Sequence, residues 1–161
     1  MRTLALLVLA GLALAQDPAA LAPKVTDYPT KFRLIGMGAK ALAPLMAQIG
    51  SDDPRLAFES RSAVRWIVNR APDRDAMVQH VAPFAAGTQP EATRAFAAQL
   101  LGDLRSPAAV PVLEAMIGKH ESVALAAVEA LARTPGTAAT ETLIEAHERS
   151  RVRAAVWRAL G

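Results

Sequence analysis

At 161 residues the chain is sized for one domain with a sizeable core. Hydrophobic residues make up 52% of it and aromatics only 4%, and with no cysteine it can have no disulfide framework, lipid-modified cysteine anchor or thiol nucleophile. Its 18 basic and 15 acidic side chains leave +3, a surplus too small for a dedicated polyanion binder.

The amino terminus follows its own rules. Met1-Arg2-Thr3 is a short positive start, Leu4 to Ala15 is an unbroken apolar run, and Ala13-Leu14-Ala15 is a small-x-small ending before polar Gln16-Asp17. That is the anatomy of a secretory signal peptide, expected over residues 1–15. The run would make about 18 Å of helix against a bilayer core of about 30 Å, too short to span. The mature chain is therefore expected to be exported from a bacterial cytoplasm, periplasmic or extracellular, with no stable membrane insertion. Residues 16–26 are expected to form a short tether and 27–161 the folded domain.

Helical signals then follow one another. A first helix is expected over about 28–35 and a second over about 39–49, with Leu42, Leu45, Met46 and Ile49 on one stripe. Gly50, Asp53 and Pro54 are a C-cap, an N-cap and a first helical residue. The helix they open, 54–70, turns Ser60, Ala63, Val64, Ile67 and Val68 inward. Asp73 caps the next, striped by Met77, Val78, Val81, Phe84 and Ala85, with Pro83 expected to kink it or end it early. Thr88-Gln89-Pro90-Glu91 has the spacing of a capping box. Ser106-Pro107 opens a helix carrying Val110, Leu113, Met116 and Ile117. Pro135-Gly136 precedes one using Leu143, Ile144 and His147, and a terminal helix is expected over 151–160.

The phrases repeat. Thr93 to Leu101, Val123 to Leu131 and Val152 to Leu160 align apolar column by apolar column, with steps of 30 and 29 residues between Leu101, Leu131 and Leu160. Ser60 to Val68 falls on Thr93 to Leu101 after a shift of 33. A period in this range marks a solenoid whose units bury their apolar faces against their neighbours. No window alternates like a strand, so the fold class is all-α. Ala63, Ala97, Ala126 and Ala155 are expected to be deeply buried where adjacent repeats approach.

Gly36-x-x-Ala39-x-Ala41-Leu42-x-Pro44-Leu45 and its echo from Leu101-Gly102-Asp103 to Ala108-Ala109-Val110-Pro111-x-Leu113 resemble HEAT repeats, more narrowly the HEAT-like subgroup first described in phycobilisome lyases. The Val-Arg pair opening a repeat's first helix is matched at Val152-Arg153 and partly at Thr93-Arg94 and Ser60-Arg61, while Val123-Ala124 lacks the arginine. The resemblance covers residues 28–161. It implies a right-handed α-solenoid, an armadillo/HEAT-like superhelix of about four helical pairs plus a terminal helix.

Candidate chemistry is sparse. His80, His120 and His147 are far apart, with no second ligand at helical spacing, so no metal and no cofactor are expected. Ser51-Asp52-Asp53 reads as a cap, and Glu141 with Glu145 as a solvated face. No nucleophile elbow or phosphate-binding loop is present, and no enzymatic activity is expected. Arginines cluster at Arg61, Arg65, Arg70 and Arg74, and again at the carboxyl end. Some DNA glycosylases are HEAT-like, and that resemblance would cast Trp66, Trp157 and Asp103 beside such arginines as an alternative, nucleic-acid-directed function. The export signal and the near-neutral charge argue against it, so no nucleic acid is expected as partner. The expected function is a non-enzymatic protein-protein interaction or scaffold module of the bacterial cell envelope. Its candidate surface is Arg149, Arg151, Arg153, Trp157 and Arg158, facing another protein or, through the carboxyl end, a second copy.

Overall fold

The computed structural model describes residues 17–118 and 120–148. Every regular element in that span is helical. The signal-like segment 1–15, the terminal helix expected over 151–160 with Ala155, and the candidate surface of Arg149, Arg151, Arg153, Trp157 and Arg158 lie outside the described residues. Contacts divide the chain into two compact units meeting between Val64 and Arg65.

The first unit contains α1 (Pro18–Leu21), α2 (Tyr28–Gly36), α3 (Leu42–Met46) and most of α4 (Pro54–Asn69). Residues 17–25, expected as tether, are structured instead. Asp17 caps α1 by accepting the Ala19 amide at 2.9 Å, a 3-10 turn follows over Ala22–Lys24, and Ala22 and Val25 are fully buried. Pro18 and Pro23 do not oppose this, since both fall at early helical positions where a missing N–H costs nothing. Asp27 accepts the Thr30 amide at 3.1 Å and its hydroxyl at 2.6 Å. These two bonds, the hydroxyl's first, hold the exposed Asp27 carboxyl below its ordinary range. The helix expected over 39–49 is split: a 3-10 turn over Gly38–Ala41 leads into α3. Pro44 explains this, because without an N–H it cannot bond back to the preceding turn. The expected stripe of Leu42, Leu45, Met46 and Ile49 is buried. Lys31 crosses to α4 and donates to Glu59 at 2.6 Å and Ser62 at 2.9 Å.

The second unit comprises the end of α4 with α5 (Arg74–Val81), α6 (Glu91–Leu104), α7 (Val110–Glu114), α8 (Glu121–Arg133) and α9 (Thr137–Glu148). Asp73 caps α5 through the Ala76 amide at 2.9 Å, and α5 ends at Val81, with Pro83 inside the 3-10 turn that succeeds it. The capping box expected from Thr88 does not form. The helix starts at Glu91 with Pro90 as its uncapped N-cap residue, and the Glu91 carboxylate instead accepts a hydrogen bond from the Ser122 hydroxyl. Ser106 accepts the Ala108 amide at 3.1 Å, as a cap should, and donates its hydroxyl to Asp75.

The most extensive helix contact is α6 against α8. The repeat columns predict its buried face residue by residue: Thr93, Phe96, Ala97, Leu100 and Leu101 on α6, and Val123, Ala126, Ala127, Ala130 and Leu131 on α8, are all buried. Ser60, Ala63, Val64, Ile67 and Val68, the same columns of α4, are buried too. Gly102 permits the close approach, since a Cβ there would lie 2.7 Å from the Ala130 Cα and 2.6 Å from an Arg133 nitrogen. One expected inward residue is wrong: Ile144 is 50% exposed, and the buried stripe of α9 is Ala139, Leu143 and Ala146. These keep an i, i+4, i+7 spacing that Ile144 does not share.

Candidate functional site

The carboxyl-terminal end of α6 is where charge collects. Leaving α6, the chain places Arg105 at φ +50°, a left-handed conformation in which its amide bonds back to the Gly102 carbonyl. Arg74, at the start of α5, donates to the Leu104 carbonyl at 3.2 Å. Arg133, at the end of α8, donates to the Gln99 carbonyl at 3.3 Å and faces Asp103 at 3.8 Å. Arg65 donates to the Gln99 side chain at 3.0 Å, its guanidinium 5.6 Å from the centre of the Phe96 ring. With Asn69 these residues line an open basin of about 510 Å³.

The local reason is the helix end itself. The last carbonyls of a helix lack amide partners and carry about half a negative charge, so guanidinium groups are drawn to them. That accounts for the position of Arg74 on the Leu104 carbonyl, whereas Arg133 reaches the interior Gln99 carbonyl and faces Asp103; neither contact accounts for the total charge. The lining holds four arginines and one carboxylate, a balance of +3 (4 − 1). With Asp103 already counted, a helix dipole of about −0.5 leaves most of it uncompensated. The basin is suited to carboxylates, which guanidinium forks bind in bidentate geometry.

Of the arginines grouped by sequence, Arg65 and Arg74 reach this basin and the other two do not. Arg61 donates to the Ile49 carbonyl at 3.4 Å, and Arg70 lies 5.4 Å over the Trp66 ring. Trp66 is 47% exposed and does not line the basin, whereas Asp103 does. Arg105 and Arg133 were missed as site residues. Their signal was the repeat itself, because positions about thirty residues apart become neighbours when units stack.

Among the described residues no group of three or more histidines and carboxylates is arranged to hold a metal ion. Among them also, no helix is long and apolar enough to cross a membrane. His120 lies 3.8 Å from Glu91 and both are exposed, with no third ligand among the described residues.

Comparison with known proteins is consistent with the repeat columns. No curated protein and no solved structure matches the chain. Residues 78–161, more than half its length, match the family of HEAT repeats. Buried columns recurring at the family's period, paired helices and that match together place the chain in the HEAT repeat family.

Proposed function

We propose that this protein is a non-enzymatic binding module of the bacterial cell envelope that receives an acidic segment of a partner protein in its arginine basin. HEAT repeats are generally scaffolds for protein interaction, because stacked helices give their interior to packing and leave a continuous surface for partners. The observation that carries the reading is the excess of arginine over carboxylate around the carboxyl-terminal end of α6. Its membership of the envelope rests on the signal-like pattern of residues 1–15.

The test is binding of the purified chain to three labelled probes: a Glu/Asp-rich peptide, its Gln/Asn counterpart, and a single-stranded oligonucleotide. The acidic peptide should bind best. Raising salt from about 0.1 M to about 1 M shortens the screening length from about 10 Å to about 3 Å and should release it. A triple variant with Arg65, Arg74 and Arg105 changed to Gln should lose it. Equal binding of the Gln/Asn peptide would sink the proposal, and preference for the oligonucleotide would replace it with a nucleic-acid function.

A further inference from the structure

A second cavity in the same unit lies at the other end of α6 and α8, near their first turns. It encloses about 340 Å³ and is lined by Arg94 together with Ala85, Val112, Met116 and Val123, the remaining wall being alanine and glycine. Met116, Val123 and Ala85 are buried and form its inner wall; Ala86, Gly87 and Ala115 are exposed and form its rim. Arg94 is unlike every other arginine described here. It is only 6% exposed, its Nε is buried without a hydrogen-bond partner, and among the described residues no acidic side chain lines the cavity with it.

A guanidinium keeps its charge wherever it is placed, and a buried charge is costly unless it is paired and hydrogen-bonded. The chain supplies Arg94 with no counter-ion among the described residues, although Arg61, its counterpart one repeat earlier, reaches a backbone carbonyl. The stem of an arginine is apolar and suits such a site. Its charged end is left over, and it borders an apolar cavity with an open rim.

We propose that this cavity is a binding site for a small monocarboxylate with a short apolar body, its carboxylate paired with Arg94. Arg94 is the one cation among the described residues that line the cavity, and it sets the charge of the ligand at one, since a phosphate or sulfate dianion would carry an unmatched charge into the apolar wall. The cavity volume is at the lower end of the range for ligand pockets, which sets the size of the body. The carboxylate can be that of a free alkanoic acid or of a peptide's last residue; the chemistry at Arg94 is the same. This site stands apart from the arginine basin and does not depend on the function proposed for it.

The experiment titrates the full chain with hexanoate, N-acetyl-alanyl-valine, hexan-1-ol and inorganic phosphate, following the Arg94 Nε–H resonance by nuclear magnetic resonance. Saturable displacement of that resonance by hexanoate or the capped dipeptide is expected, and which of the two acts at lower concentration names the source. Hexan-1-ol and phosphate should leave it unmoved. Arg94→Met, followed through the backbone amide resonance of Val123 in the cavity wall, should weaken binding by roughly ten- to a hundredfold, the loss of a charged hydrogen-bonded pair. Ala115→Leu, at the rim, should weaken it while Arg94 stays in place, and this variant serves if Arg94→Met does not fold. Failure of both acids to saturate the signal at about ten millimolar, or equal binding of hexan-1-ol, would overturn the proposal.

Discussion

Arg105 occupies a backbone conformation at which glycine is at home. Holding a side chain at φ +50° costs about 1–2 kcal/mol, while glycine in its place would bring an unfolded-state entropy cost of about 0.5–1 kcal/mol. The first effect wins, so Arg105→Gly should raise stability by about 0.5–1 kcal/mol in urea unfolding. The same change removes one basin cation and should weaken capture of the acidic peptide. A variant that is both less stable and unchanged in binding would contradict both roles. Asp27 offers a second residue-scale test. Its carboxyl is held below its ordinary range by the Thr30 hydroxyl and amide, so its cap on α2 contributes in full above the unfolded-state value of about 4 and is lost as pH falls through the lowered folded value. The stability gap between wild type and Asp27→Ala, followed by circular dichroism against pH, should therefore be constant near neutrality and close in acid. A gap that widened in acid would reverse the sign assigned to Asp27.

At the scale of elements, α6 and α8 depend on the missing side chain of Gly102. A methyl group there meets the Ala130 Cα at 2.7 Å, and backbone cannot yield as a side chain can. Gly102→Ala should force the helices apart and cost about 1–3 kcal/mol, despite alanine's better helix propensity of about 1 kcal/mol. An unchanged urea midpoint would show that the contact is looser than described. This register is legible in the sequence: the repeat pattern places Ala97 and Ala126 inside, and both are buried. Helix starts at Pro54 and Arg74 were readable because Asp53 and Asp73 advertise their caps. The start of α6 was not, because Glu91 looks the same in sequence whether it reaches its own helix's first amides or the Ser122 hydroxyl of the next repeat. Ile144 failed for a related reason: both it and Leu143 suit a buried stripe, and only packing chose between them.

For the molecule as a whole, a net charge of +3 conceals an uneven distribution. One basin carries as much positive balance as the entire sequence, because Arg65, Arg74, Arg105 and Arg133 are brought together from positions spread over about seventy residues. Nothing local in the sequence announces that gathering; it needs the stacking distance between repeats as well as their columns. Arg94 was equally silent: as part of a Val-Arg-like pair it carries no sequence sign of its burial.

The same stacking leaves its mark on the polar links between elements. Lys31 to Glu59, Lys31 to Ser62, Arg65 to Gln99, Arg74 to Leu104, Ser106 to Asp75, Ser122 to Glu91 and Arg133 to Gln99 span between 28 and 34 residues. Closing a loop of that length costs about 3 kcal/mol beyond a constant, and the cost does not grow as further repeats are added. For a chain leaving the ribosome, each of these bonds becomes available once about thirty more residues have emerged. Neither partner has to wait for the far terminus, so the order of synthesis can serve as the order of assembly.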